Sequence, residues 1–501
     1  MPGGLFVLRA YGSNDIKLTG NPQTTFFLKT YRRYTHFAQE PIYDNLEGPQ
    51  QLSYQDPILL KHIIKRKGDL LRSMFLNIQL PDIYSKLELN GLEPSGYAFR
   101  WIPNLANMII DEASIYIGGN KVDTFTGYYS YLYKKLYYEE DEQYIFDSMA
   151  ANTPEFIDPG SGPLGDNLEY PYVVRDLSNA NALLNPSIRG KELFIPLPFW
   201  FYREPGQSIP LVGLQGHEVE VQIKLRPIVD LYQVRAYNTN EWVRPEPGTK
   251  TSIEYFLSPF FGDKSFRNTW ELSPRLLNHF IFLSDDERKH IIKEEKNYLI
   301  RQRNHFEMRT FSSYKYKIEQ HNLIDRIIFT VRRNDFRLLY NDLTNTTNWK
   351  NPNIAPKNIQ NNIEINGINT SGIEASNYMK DILQSCTIYV NGNAIFDTQT
   401  PVYYNAIQAF MCNRIKNIDG IYQYNFGLFP KEYQPSGSLN TSRIKNLELD
   451  LQLETIPYKT TTDLSGVSTS AYDYDYIIDI FTESYNFLTI SAGLGGLMYA
   501  T

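Results

Sequence analysis

Two cysteines in 501 residues, Cys386 and Cys412, allow at most one disulfide. The chain is therefore no cystine scaffold, and so low a usage suits a reducing compartment. No run of about 18 apolar residues occurs, which argues against a membrane-spanning helix. The opening MPGGLFVLRAYG has no basic lead and too short an apolar stretch for a signal peptide. Pro2 also breaks the myristoylation pattern, which needs Gly directly after Met. Positive charge is not in excess: 49 Lys and Arg stand against 56 Asp and Glu, a net charge of -7. Such a balance argues against a surface that binds nucleic acid throughout.

Chemistry-bearing constellations are missing as well. Seven histidines never fall into His-Glu-x-x-His spacing, and no Cys-x-x-Cys occurs, so no metal site is expected. No apolar strand leads into Gly160-Ser161-Gly162, so it is not a nucleophile elbow. Gly493, Gly495 and Gly496 are followed by too few residues to open a phosphate-binding helix, and read as a close-packed terminal strand or turn. Asp473 and Asp475 share a strand face, and Glu139–Glu142 is a charge run; both read as solvated polar surface. No catalytic residue, cofactor or metal is expected. A large protein without a catalytic set binds or builds.

What is abundant is tyrosine and phenylalanine, 38 and 28 residues, which fit half-buried pleated surfaces. In HEVEVQIKL (217–225) the apolar Val219, Val221, Ile223 and Leu225 alternate with polar residues. NLELDLQLE (446–454) repeats the pattern with Leu447, Leu449, Leu451 and Leu453. Period two marks strands with one face in a core and one in water. ASIYIGGNKVD (113–123) matches CTIYVNGNAIFD (386–397), each an apolar strand, a Gly-containing turn and a return to Asp, the mark of a β-hairpin. SMFLNIQL (73–80) pairs more weakly with RIIFTVRR (326–333). Three matches in the same order predict tandem similar β-domains, as sandwiches or jelly rolls.

Helical signals are few. LSDDERKHIIKEE (283–295) has Ser284 as N-cap, Glu287 three residues on and acids in the first turn; YYSYLYKKLYYEEDEQ after Gly127 predicts a second short helix. The expected organisation is an arm (1–24), a first domain (25–227), a linker (228–250) and a second domain (251–501). Glu139–Lys191 and Asn334–Asn377 are expected as exposed loops. Sequons at Asn345 and Asn369 lie in the second loop, and Asn440 opens a third; if glycans occur, Asn345 and Asn369 are the better sites. Between Ile16 and Ala38 no acid occurs, while Lys29, Arg32 and Arg33 stand among Phe26, Phe27, Tyr31, Tyr34 and Phe37. This stretch is expected to be a strap, with the aromatics anchoring it and the cations facing carboxylates or an inner surface.

These segments resemble the major capsid protein family of nucleocytoplasmic large DNA viruses of algae and protists. The resemblance runs through Leu18-Thr19-Gly20-Asn21-Pro22-Gln23, Thr25-Phe26-Phe27 and Tyr31-Arg32-Arg33. It continues in Gly68-Asp69-Leu70, Ile117-Gly118-Gly119, Phe199-Trp200-Phe201 and Pro210-Leu211. It closes with Tyr298-Leu299-Ile300, Pro435-Ser436-Gly437, Tyr485-Asn486 and Gly493-Leu494-Gly495-Gly496-Leu497. It departs where the family often has His-Thr-Asn after the arginines (here Tyr34-Thr35-His36), at Ser208-Ile209, and at Leu494. The resemblance implies an all-β fold of two jelly rolls with short connecting helices and long surface loops. It also implies a homotrimer of pseudo-sixfold outline, icosahedral packing with neighbouring capsomers, and minor capsid and penton proteins as partners. The arm would lie at the inward base, near an internal membrane, with no sequence-specific nucleic acid; assembly would take place in the host cytoplasm. A carbohydrate-binding β-sandwich, a lectin or spike, is the alternative from another class.

Overall fold

The computed structural model describes residues 3–88, 94–162, 164, 169–174, 185–238, 242–259, 269–347, 381–412, 418–454, 461–462, 468–469 and 475–499. The chain divides into an N-terminal unit, Met1–Phe37, and a main unit, Ala38–Thr501. The N-terminal unit carries two short helices, Gly4–Arg9 and Ser13–Thr19, and neither buries a residue. Gly20 closes the second helix by donating its N–H to Ile16. Asn21 (φ 50°) and Pro22 then stop helical structure.

The main unit is built from two strand sets. The first comprises β1 (Phe37–Asn45), β2 (Ile58–Ile63), β3 (Leu70–Gln79), β4 (Ile110–Ile117), β5 (Asn120–Thr126), β6 (Glu192–Pro196), β7 (Val219–Leu225) and β8 (Arg275–Leu283). The second comprises β9 (Lys296–Thr310), β10 (Tyr314–Ile318), β11 (Leu323–Arg333), β12 (Leu383–Val390), β13 (Asn393–Ala394), β14 (Ile421–Asn425), β15 (Leu447–Leu453) and β16 (Tyr476–Ser491). A last strand, β17 (Leu494–Leu497), folds back on β16.

The order of the four main strands of each sheet repeats between the sets. β1-β8-β3-β6 faces β2-β7-β4-β5 in the first, and β9-β16-β11-β14 faces β10-β15-β12-β13 in the second. Each sandwich is a jelly roll. The two alternating strands occupy the same place and show the same burial, with every apolar residue buried. Both hairpins turn on two left-handed residues, Gly118-Gly119 and Asn391-Gly392, the geometry of a two-residue turn that matches strand twist. The weak sequence pair also falls on equivalent strands, β3 and β11.

Some expectations need correction. β8 pairs with β3, Leu276 opposite Leu76, so by strand pairing the first sandwich extends to Leu283, past the division expected at residue 251. The expected linker holds a strand, Tyr232–Ala236, paired with Ser95–Trp101. The connection between sandwiches is instead the helix Asp285–Lys293, preceded by Ser284 as expected, though that side chain makes no capping bond. The stretch after Gly127 forms two helices, Gly127–Tyr137 and Glu140–Met149, so the loop expected from Glu139 begins as helix. The one expected from Asn334 also begins as helix, Asn334–Tyr340; its residues 348–377 lie outside the described residues. No helix among the described residues is long and apolar enough to cross a membrane.

Candidate functional site: the junction of the two sandwiches

Alternation on β9, β11 and β16 sends one set of side chains into the second sandwich and the other outward. Ile327, Phe329, Val331, Ile478 and Ile480 form core. The outward set is largely polar or charged around Ile328 and Phe481: Arg326 stands opposite Glu483 and Thr330 opposite Asp479. Arg303 flanks Glu483 from β9, and His305 flanks Phe481. Such a face ordinarily meets water. Here it is covered by the helix Gly127–Tyr137 of the first sandwich.

That helix starts where Thr126 accepts the Tyr129 N–H at 3.2 Å, a side-chain N-cap. Tyr129, Tyr133 and Tyr137, four residues apart, lie on one face. Their ring centroids are spaced 6.3 and 4.3 Å. Tyr129 donates to Glu483 Oε1 at 2.5 Å and Tyr137 to Oε2 at 2.7 Å. Arg326 donates to the same Oε2 at 2.8 Å and also to the Tyr137 hydroxyl. Burial by itself would raise the Glu483 carboxyl, but Arg326, Arg301 and the two phenols hold it at about 2. Among the described residues, Arg326 Nε and Nη1 make no hydrogen bond. Incomplete pairing of this kind makes a buried ion pair a device of registry more than of net stability.

Further contacts extend the junction. Arg303 donates to Asp123 at 2.9 Å, both side chains buried, and Gln302 donates to the Val122 carbonyl at 2.6 Å. Arg332 donates twice to Asp479 Oδ2, at 2.9 and 2.5 Å, while its guanidinium lies 3.9 Å from the Tyr128 ring centroid. Burial would raise Asp479 too, yet Arg332 and His305 leave it below the ordinary carboxylate range. At the far end Gly216 donates to the Gly493 carbonyl at 2.8 Å. His217 Nδ1 lies 3.0 Å from the Gly495 carbonyl oxygen and 3.1 Å from its N–H, one bond for each tautomer. The terminal glycines are thus the close-packed strand expected.

The arrangement holds and orients; its carboxylates are committed to arginines and phenols. Among the described residues, His305, Glu307 and Asp479 could hold a metal, with ligand atoms within 4.8 Å of one another. Asp479 already accepts from Arg332 and His305, so the set reads as ion pairing.

Residues singled out from the sequence lie elsewhere. Within the N-terminal unit Lys29, Arg32 and Arg33 are exposed, as are Phe26 and Phe27 at 98% each, so the aromatics form no core of that unit. Asn345 is 1% exposed and its Oδ1 accepts the Thr347 N–H, which corrects the expectation for that sequon: a buried amide cannot carry a sugar, whereas Asn440 is exposed. Asn369 and Asp473 lie outside the described residues. Cys386 and Cys412 are both buried and free, and burial pushes the Cys386 thiol up to about 12. The junction residues were missed because charged positions on a strand read as solvated. A usable signal existed: Arg326 and Arg332 in RIIFTVRR, and Asp479 and Glu483 in DIFTESYN, fall an even number of residues apart on one face of strands whose other face is largely apolar.

Two family models match the chain. "Major capsid protein N-terminus" covers residues 25–253, and "Large eukaryotic DNA virus major capsid protein" covers residues 287–496. The major capsid protein of Phaeocystis pouchetii virus is 27% identical, with 100% of each chain covered. That of Paramecium bursaria Chlorella virus 1 is 26% identical, again with 100% of each covered. Among solved structures, the PBCV-1 virus capsid superposes with TM-score 0.64 at 21% identity, covering 95% of this chain and 100% of that one. The Faustovirus major capsid protein gives 0.62 at 14%, covering 97% and 96%. The structural matches carry the double jelly-roll fold.

Proposed function

Because the chain belongs to the major capsid protein family of large eukaryotic DNA viruses and is a structural protein of the virion capsid, we propose that three copies close into a pseudo-hexagonal capsomer. Such capsomers tile the icosahedral shell. The observation that carries this is the matching order of the main strands in the two sandwiches. Two equivalent units per chain around a threefold axis give six, and a nearly hexagonal tile packs in a lattice. The junction fixes the angle between the two units, so each chain supplies one rigid third of the tile.

We place the division into units in the helix Asp285–Lys293, after an arm and a first sandwich ending at Leu283; the pairing of β8 with β3 supports this reading. The arm, with Lys29, Arg32 and Arg33, contacts minor capsid or penton proteins, or an internal membrane, on the inward side. It binds no nucleic acid by sequence. Asn369 remains the sequon for a glycan on the outward face. Assembly occurs in the host cytoplasm, and the protein performs no catalytic step. Light scattering on the purified protein tests the capsomer: a trimer of 58.3 kDa chains has a mass of roughly 175 kDa. A monomer at assembly concentrations would overturn it.

A further inference from the structure

The two sandwiches carry the same hairpin, and each hairpin is followed by a helical segment. Asp123-Thr124-Phe125-Thr126 leads into Gly127–Tyr137. Asp397-Thr398-Gln399-Thr400 leads into a π-helical turn, Tyr403–Ile407, continued by an α-helical turn, Gln408–Met411. A matching hydroxyl pair fixes the correspondence: Ser114 to Thr124 at 2.9 Å in the first sandwich, Thr387 to Thr398 at 2.8 Å in the second. The burial of the two segments differs sharply. Tyr128, Tyr129, Tyr133 and Tyr137 are buried against the outward face of β9-β16-β11-β14. Counting from Thr124 and Thr398, the places of Tyr128, Tyr133 and Tyr137 are taken by Val402, 58% exposed, Ile407, 44%, and Met411, 67%, with Phe410 beside them at 86%; Tyr403, in the place of Tyr129, is half-buried.

The first sandwich has the equivalent outward face, on β1-β8-β3-β6. Pairing places Ser73 opposite His279 and Phe75 opposite Leu277, where the second sandwich has Arg326 opposite Glu483 and Ile328 opposite Phe481. Phe75 and Leu277 are half-buried. Phe481, the counterpart of Leu277, packs against the Tyr129 ring at a centroid distance of 5.5 Å. The chemistry of each face matches its helix. The buried ion pair meets tyrosines, whose hydroxyls satisfy the carboxylate. In the first sandwich the same place holds a Ser73–His279 hydrogen bond, 3.1 Å, beside Phe75 and Leu277, with Asn77, Arg275 and Glu192 bonded to one another further along the strands. It asks for no phenol and suits Phe, Met, Ile and Val.

We infer that the exposed segment 401–411 of one copy seats on the outward face of β8 and β3 in a second copy, repeating between chains the contact that the Gly127–Tyr137 helix makes within one. This rests on the capsomer reading and names the surface that builds it. The contact is head-to-tail, so three repeats close a ring of six alternating units.

The test combines two measurements on the full chain. The double variant Phe410→Asp, Met411→Asp places charge on side chains that are exposed in the single chain. Light scattering is expected to show its mass fall threefold to that of one chain, with the melting temperature of the isolated chain unchanged. Benzoyl-phenylalanine at position 410 of the otherwise native protein, cross-linked by light and digested, is expected to join peptides containing Leu70–Gln79 or Arg275–Leu283 of another copy. A double variant that remains trimeric overturns the inference and leaves the capsomer standing. So do cross-links confined to the N-terminal arm or to segment 401–411 of the partner. A native protein that is itself monomeric overturns both.

Discussion

Arg326 and Glu483, 157 positions apart in sequence, meet at 2.8 Å with neither side chain more than 1% exposed, and two tyrosines of the other sandwich complete the carboxylate's shell. An ion pair of one jelly roll is therefore finished by the next. Glu483→Ala leaves Arg326 buried without its counter-charge, and removing one partner of such a pair costs about 3–5 kcal/mol. Tyr137→Phe removes one donor while keeping the ring stack and should cost about 1–3 kcal/mol. Urea denaturation of the two variants checks the order of these losses; equal stability of Glu483→Ala and the native chain would refute the junction's role.

Acid should loosen the junction first. The Glu483 carboxyl has its ordinary value at 4.5 and is held at about 2 in the fold. A depressed carboxylate contributes stability above its unfolded value, and that contribution is lost as pH falls toward the folded one. Stability should therefore decline between about pH 4.5 and pH 2 by on the order of 3 kcal/mol from this group. Asp479 declines in the same direction. Glu483→Gln should flatten this acid limb when unfolding free energy is followed against pH.

Gly118 sits at φ 59°, and a Cβ there would lie 2.4 Å from His217 Nδ1, the atom that meets Gly495. Gly118→Ala thus strains a left-handed turn residue and pushes on the clasp holding β17. A loss of about 1–3 kcal/mol is expected. Faster proteolysis within residues 491–499 is the accompanying sign, readable by mass spectrometry.

Arg32 and Arg33 are exposed. Arg32→Ala, Arg33→Ala should change stability by no more than about 0.5 kcal/mol. A chain starting at Thr24 should still form the trimer yet assemble shells poorly. Calorimetry and sedimentation of assembled particles separate the two effects. Normal assembly by the shortened chain would remove any strap role for the arm.

Much of the fold was legible locally. Leu447–Leu453 and Val219–Leu225 announce themselves because a strand's side chains alternate at period two, whatever lies across from them. The hairpins were legible because Gly118-Gly119 and Asn391-Gly392 supply left-handed residues that few other sequences allow. Their repeated order disclosed the duplication. Tertiary structure alone decided the rest. That β8 completes the first sandwich is a pairing with β3 198 to 211 residues earlier, and no local pattern encodes a partner. Asn345, a polar residue in a polar stretch, reads as surface, yet its neighbours in space bury it. Arg326 and Glu483 look like a solvated strand face for the same reason: a period says which side a residue takes, and only packing says whether water or another sandwich is waiting there.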